Sequence, residues 1–447
     1  MSNMKGRICT ALIASVVGLG SVAAQNLNQF DFGTGKVAAG YTQVKATDVY
    51  SDEKGFGFDF NSNPIAIDRG TVNGNTSDLT SDFCTGVGPV FFSTKLPQGV
   101  YQVSVTLGDA VKATTTTIKA ESRRLMVEKV VTAPGEFKTV RFNVSVYDSI
   151  VRPGRVMKLK PREVEKLNLD NKLTLEFSNT NPSINAITIK ELKNPIQVFL
   201  MGNSTVTDQS LEPWACWGQM IPAFFASDRV TITNVAESGE TLRSTLGRRR
   251  LEKVASMLHP GDYVFIEFAH NDQKKGSGEL AYTTYNDYLR AFADTARNHG
   301  AIPVFVTSTN RRNFDKNGHV YNTLGDFPDA MRQEAKKENV TLIDLHAMTK
   351  TLYEAFGDEA SKKLFVQYPA GTFVGQDKDL ADNTHFCDFG AYELAKCMVE
   401  GIKNSNLELK KYLKKDLPAF DLKHPDDPNK FDLPFTPMFS SIKPYGN

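Results

Sequence analysis

Four short polar clusters in the second half of the chain carry the residue types that acyl transfer requires. They are Gly202-Asn203-Ser204-Thr205, Glu237-Ser238-Gly239, His270-Asn271-Asp272 and Asp382-Asn383-Thr384-His385. A serine hydroxyl is a weak nucleophile until a neighbouring base takes its proton. His385 can be that base. Asp382, three residues earlier, can hold the imidazole and stabilise its charged form. The tetrahedral intermediate places negative charge on an oxygen that needs preorganised donors. Backbone N–H groups of Ser204 and Gly239 and the side-chain amide of Asn271 can supply them. The expected catalytic set is therefore Ser204, Asp382 and His385, with Ser204, Gly239 and Asn271 forming an oxyanion hole.

Taken singly, each residue has an ordinary explanation. A serine after a strand caps helices, a glycine makes turns, and an asparagine does either. What argues for chemistry is the four clusters together, in order, each at the end of an expected element. The histidines narrow the choice further, because all seven lie after residue 195. Asp344/His346 is the best rival dyad. Of the others, His299 fits a helix end, His259 precedes Pro260-Gly261, and His424 lies in a proline-bearing tail. No H-E-x-x-H or other metal-ligand spacing is present, so neither a metal nor a cofactor is expected.

The elements that must position these residues fall into two styles. Residues 25–193 alternate with period two: Tyr101, Val103, Val105 and Leu107 on one face, then Val140, Phe142, Val144 and Val146, then Leu173, Leu175 and Phe177. Turn residues separate the runs. Half-buried strands without helical stretches predict an antiparallel β-sandwich. From Ile196 the runs become continuously apolar, at Ile196–Met201, Val230–Val235, Tyr263–Phe268, Ile302–Val306 and Val340–Leu345. Strands buried on both faces look like this. Between them, Tyr285, Tyr288, Leu289, Phe292, Ala293 and Ala296 follow a helical period that stops at Asn298-His299-Gly300. Strand–helix alternation predicts a doubly wound α/β domain of about five strands over 194–405, whose ligand site lies at the carboxyl ends of the strands. Residues 406–447 have several prolines and no period, which predicts an extended tail.

Lys5 and Arg7, an apolar run from Ile8 to Val22 and the small residues Val22-Ala23-Ala24 predict a signal peptide over 1–24. The protein is then exported, to the periplasm or beyond the cell, with no membrane-spanning helix. Four cysteines remain after residue 24, at 84, 216, 387 and 397, and their pairing is not readable from sequence. Cys387 and Cys397 bracket one helix, too far apart to bridge. With 52 Lys+Arg against 51 Asp+Glu, formal net charge +1, the chain lacks the basic excess of a nucleic-acid binder.

The order Ser, Gly, Asn, Asp-x-x-His resembles the SGNH (GDSL) hydrolase family over about residues 196–403. The similarity is strongest to the branch containing rhamnogalacturonan acetylesterases. The resemblance implies a three-layer αβα fold and a metal-free serine O-acetylesterase acting on acetylated pectic polysaccharide or oligosaccharide. It also implies that the preceding sandwich is a galactose-binding-like domain, which would bind polysaccharide or support its neighbour. Two positions depart from the family pattern: Asn203 stands where Asp is usual, and Ala269 where Gly is often found. For substrate contacts, Arg311 and Arg312 in the loop after the fourth strand could pair with a galacturonate carboxylate, and His270 could shape the site. Trp214 and Trp217 could stack on sugar rings, but their spacing favours core. The alternatives are an esterase or lipase of the same family on another acyl substrate, and a non-catalytic polysaccharide-binding protein. The oligomeric state stays open.

Overall fold

The computed structural model describes residues 28–444 except 73, 75, 76, 227 and 228. The signal-peptide expectation for 1–24 lies outside the described residues. The first half is a sandwich of two five-stranded sheets. One runs in the order Phe137–Val146, Gly99–Gly108, Ala186–Glu191, Gln29–Phe32, Thr42–Val44. The other runs Phe56–Asp59, Val90–Lys95, Lys172–Ser178, Thr114–Ala120, Arg124–Thr132. Tyr101, Val103, Val105 and Leu107 are buried between the sheets, as are Leu173, Leu175 and Phe177. Gln102, Ser104 and Thr106 point the other way and are half-buried. Period-two alternation is thus the signature of one face packed and one face wet. The pairing departs from purely antiparallel where Gln29–Phe32 runs parallel to Thr42–Val44, and at the single parallel bridge between Val49 and Phe58.

The second half carries five parallel strands in the order Val230–Asn234, Ile196–Gly202, Tyr263–Glu267, Ile302–Val306, Thr341–Ile343. Helices on both faces close a three-layer αβα unit. The helix Asn286–Asn298 buries Leu289, Phe292, Ala293 and Ala296, the stripe read from its period. Each large apolar side chain so buried contributes about 1.5–3 kcal/mol at most. A π-helical turn over Ala281–Tyr285 precedes it and seats Tyr285, whose hydroxyl donates to Phe268 O at 2.6 Å. Strand order reverses around Ile196–Gly202, which puts Ser204 at the topological switch point where open α/β sheets bind ligands. Among the described residues, no helix is long and apolar enough to cross a membrane.

The two units meet over a mixed seam, in which Leu125, Tyr147 and Met157 join the second unit's apolar core beside buried ion pairs. The turn Glu121–Arg123 of the sandwich enters the second unit with left-handed backbone at two non-glycine residues, Glu121 (φ 55°) and Arg123 (φ 60°). Such backbone is strained and persists only where the surroundings fix it. The chain after helix Asp388–Asn404 returns over the surface. It pairs Glu212 N with Met438 O (2.7 Å) and Ser440 N with Glu212 O (2.9 Å). It also packs Phe431 on Phe389 and Tyr392. The segment carries two 3-10 turns, Glu408–Tyr412 and Pro428–Lys430, and is fastened to the site's own loops.

Candidate active site

Ser204 follows the first parallel strand in a tight turn. A side chain at Gly202 would put its Cβ 2.5 Å from Val206 Cγ2, so the turn needs glycine there. Asn203 Oδ1 accepts from Thr205 N (3.2 Å) and Thr205 Oγ1 (3.0 Å), which holds the turn from inside. This is the work done by the unusual Asn203.

The Ser204 hydroxyl lies 2.9 Å from His385 Nε2, and His385 Nδ1 lies 2.8 Å from Asp382 Oδ2. Residues 181 positions apart are thus joined through one imidazole. Asp382 Oδ1 accepts from Thr384 N (2.7 Å) and His385 N (3.0 Å), so the carboxylate is locked by the backbone of its own strand, Leu380–Phe386. Burial alone would raise Asp382. The hydrogen bond and charge of His385 and these two amides outweigh it and hold the carboxyl well below the usual range. Burial pulls His385 below the ordinary histidine value, against the upward pull of Asp382. The resting imidazole is therefore neutral and able to accept the Ser204 proton. The ammonium of Lys443, on the tail, stands 3.2 Å from Asp382 Oδ2.

Gly239 has φ +76°, a left-handed conformation that favours glycine. Among the described residues, neither Ser204 N–H nor Gly239 N–H donates to a protein acceptor. Asn271 gives one amide hydrogen to Glu240 O at 3.1 Å, which orients the group and leaves its second hydrogen.

The other expected residues divide. His270 is buried beside His385 and, among the described residues, neither ring nitrogen has a hydrogen-bond partner. Burial, then the charge of Arg311, keeps it neutral. Arg311 reaches Thr323 Oγ1 (3.1 Å) and His270 O (3.5 Å), next to the oxyanion cluster. Arg312 is directed elsewhere. Its guanidinium is spent on Ser361 Oγ (3.0 Å), Asn383 Oδ1 (3.3 Å) and an ion pair with Asp358. It pins the strand that bears Asp382 and His385, with four of its five N–H donors engaged there and on Asp358 and Ser361. Asp344 and His346 do not form a dyad. Asp344 is held by Arg332 and Thr307, and His346 Nδ1 faces Ser308 O. Both tryptophans are buried. Trp214 precedes the short helix Trp217–Met220 and packs edge-on against the His385 ring, centroids 5.7 Å apart. Cys84, Cys216, Cys387 and Cys397 are all free and buried. Among the described residues, no group of three or more His, Cys, Asp or Glu side chains is placed to hold a metal ion.

Several supports had no sequence signal, because they come from the other unit or from lone acids. Glu267 Oε1 lies 2.8 Å from Thr205 Oγ1 and its Oε2 accepts from Trp217 Nε1 (2.7 Å) beneath the nucleophile turn, and burial pushes it up to about 7. Asp208 accepts from Arg124 Nε (3.0 Å), Asn168 Nδ2 (2.8 Å) and Asn234 Nδ2 (2.7 Å). Ser238 O accepts from Lys160 Nζ (2.6 Å) and Arg162 Nη2 (2.5 Å). Burial would raise Glu237, but Lys166, Arg250 and Arg162 hold it down at about 2. Breaking one partner of a buried ion pair costs about 3–5 kcal/mol, so these contacts fix the loops firmly.

Comparison with known proteins bears on what this geometry is for. Residues 200–366 match the GDSL-like Lipase/Acylhydrolase family. Residues 28–152 match the beta-agarase/YXIM esterase-like, galactose-binding domain-like family. A rhamnogalacturonan acetylesterase of Bacillus subtilis (strain 168), RhgT, is 47% identical over 224 residues, 50% of this chain and 96% of the relative. The chain belongs to the GDSL-like lipase/acylhydrolase family. It is a carboxylic ester hydrolase. A probable rhamnogalacturonan acetylesterase of the same organism, YesY, is 32% identical over 216 residues, 47% of this hydrolase and 94% of the relative. An uncharacterized esterase, YxiM, is 25% identical over 394 residues, 86% of this hydrolase and 93% of the relative. That longer match takes in the sandwich as well as the αβα unit of the hydrolase.

Proposed function

We propose that this hydrolase is an exported serine O-acetylesterase that removes acetyl groups from acetylated pectic polysaccharide, with rhamnogalacturonan as its backbone. The continuous pair of hydrogen bonds from Ser204 through His385 to Asp382 carries the reading. The names of the two relatives at 47% and 32% identity support the substrate class.

Ser204 Oγ attacks the acetyl carbonyl while its proton passes to His385 Nε2. The new imidazolium is stabilised by Asp382. The oxyanion accepts hydrogen bonds from Ser204 N–H, Gly239 N–H and Asn271 Nδ2. Collapse breaks the ester bond, and the departing sugar hydroxyl takes the proton from His385. Water, deprotonated by His385, then hydrolyses acetyl-Ser204 and releases acetate. His270 and Arg311 line the oxyanion side and contact the glycan.

The test is acetate release from acetylated rhamnogalacturonan, with acetylated xylan and an octanoyl aryl ester as comparisons. Ser204→Ala should lower kcat by about 10⁴–10⁶-fold. Full turnover in that variant overturns the nucleophile. Preference for the octanoyl ester overturns the acetyl substrate.

A further inference from the structure

The sandwich turn Glu121–Arg123 ends inside the hydrolase unit, with Arg123 at its tip, 2% exposed. Its Nη1 donates to Trp214 O at 2.6 Å and Gln209 O at 3.4 Å. Its Nη2 donates to Asp388 Oδ1 at 2.7 Å and pairs with Glu212 Oε2 at 2.5 Å. These partners belong to three different parts of the site. Gln209 and Trp214 flank the nucleophile: Gln209 Nε2 donates to Ser204 O at 3.2 Å, and Trp214 lies edge-on to His385. Asp388 opens the helix Asp388–Asn404, which starts directly after the strand bearing His385. Glu212 accepts from Thr436 N at 2.9 Å and so holds the tail. One guanidinium therefore bridges the Ser204 side and the His385 side of the same hydrogen bond.

We propose that Arg123 is a positioning residue for acyl transfer, through which the β-sandwich sets the distance between Ser204 and His385. The planar fork suits this role. Its two terminal nitrogens reach a carbonyl of one loop and a carboxylate of the other at fixed separation, which a lysine ammonium cannot do. The left-handed backbone at Glu121 and Arg123 points the same way, since strained non-glycine residues persist where the surroundings fix them. The neighbouring Arg124, on Asp208, Lys166, on Glu237, and Lys160, on Ser238 O, extend the same frame to the nucleophile and Gly239 loops. The sandwich then acts as the wall against which the catalytic loops are set.

This proposal rests on the esterase reading, and the experiment separates the two. Arg123→Lys keeps the charge and loses the fork. Arg123→Gln with Asp388→Asn removes the cation together with one of its two carboxylate partners, leaving Glu212 as the one acid that loses its cation. Each full-length variant is assayed for kcat, KM, pH profile, thermal melting and the rate of Ser204 labelling by a fluorophosphonate, with Ser204→Ala as blank. The expected result is kcat down about 10-fold in the lysine variant and about 100-fold in the double variant. KM should stay within threefold, labelling should slow in step with kcat, and the acid limb of the profile should not move, because the Asp382–His385 pair is untouched. A folded double variant with kcat within threefold of the parent overturns the positioning role. So does full activity in Arg123→Lys, or a rise in KM alone. A parent enzyme that does not label at Ser204 overturns the esterase reading and the proposal with it.

Discussion

Replacing Lys443 by methionine should move the acid limb of the kcat/KM profile to higher pH. His385 must be neutral to take the Ser204 proton, so activity falls as pH drops through its pKa. The Lys443 ammonium opposes a second positive charge on the imidazole. Removing it makes the imidazolium easier to form, and the pKa rises. Lys443 Nζ is 3.2 Å from Asp382 Oδ2, which is 2.8 Å from His385 Nδ1, so the two nitrogens are at most 6.0 Å apart. Lys443 is about half exposed, which calls for an effective dielectric of about 40–80. Two unit charges at that separation then repel by about 0.7–1.4 kcal/mol, or about 0.5–1 pKa unit before screening. At physiological salt the Debye length is about 8 Å and roughly half the effect remains; at 1 M it is about 3 Å and little remains. The assay is kcat/KM for an acetyl aryl ester from pH 4 to 9 at about 10 mM and 1 M salt. The expected displacement is about half a unit upward at low salt, nearly absent at high salt, and absent from Lys443→Arg. An acid limb that stays in place at low salt, or moves down, would refute the electrostatic reasoning.

Asp382→Asn should lower kcat by about 10³–10⁴-fold with little change in KM, since it removes the charge that stabilises the imidazolium; steady-state kinetics checks this. Asn271→Ala removes one oxyanion donor and should cost about 10²–10³ in kcat, or about 3–4 kcal/mol, with melting temperature nearly unchanged. Glu237, held at about 2 against an ordinary 4.5, contributes stability that is present above pH 4.5 and is lost as pH falls toward 2. The full contribution is on the order of 3 kcal/mol. Urea midpoints measured from pH 6 to pH 3 should therefore fall less steeply for Glu237→Gln than for the parent.

Much of the architecture was legible because it rests on local patterns. The alternation at Tyr101–Leu107, the stripe from Leu289 to Ala296 and the apolar runs of the parallel sheet each report which face is buried, and burial forms the element. The parallel pairing of Thr42–Val44 was not legible, since a three-residue strand has no period of its own. The site divides in the same way. Ser204, Asp382 and His385 lie in short motifs at strand ends, and the structure brings them within hydrogen-bond distance. Arg312 was misread because an arginine beside a strand end looks alike whether it faces substrate or braces a loop; only the positions of Asp358 and Ser361 decide. The same limit hid Arg123, Arg124 and Asp208. Each is a charge whose oppositely charged partner in the ion pair lies 84 or more residues away, and no spacing rule reaches that far.

The four buried thiols make the protein its own unfolding gauge. Burial pushes Cys84 up to about 12 and Cys387 up to about 11, so almost no thiolate exists at neutral pH to meet an alkylating reagent. Modification must wait for the chain to open. Cys216 is the most informative of them. Its sulfur donates to Ser204 O at 2.7 Å, so a reagent that reaches it has already parted the turn that presents the nucleophile. Comparing the alkylation rate of Cys216 with that of Cys84, in the sandwich, would reveal whether the two halves come apart in one cooperative event or in succession.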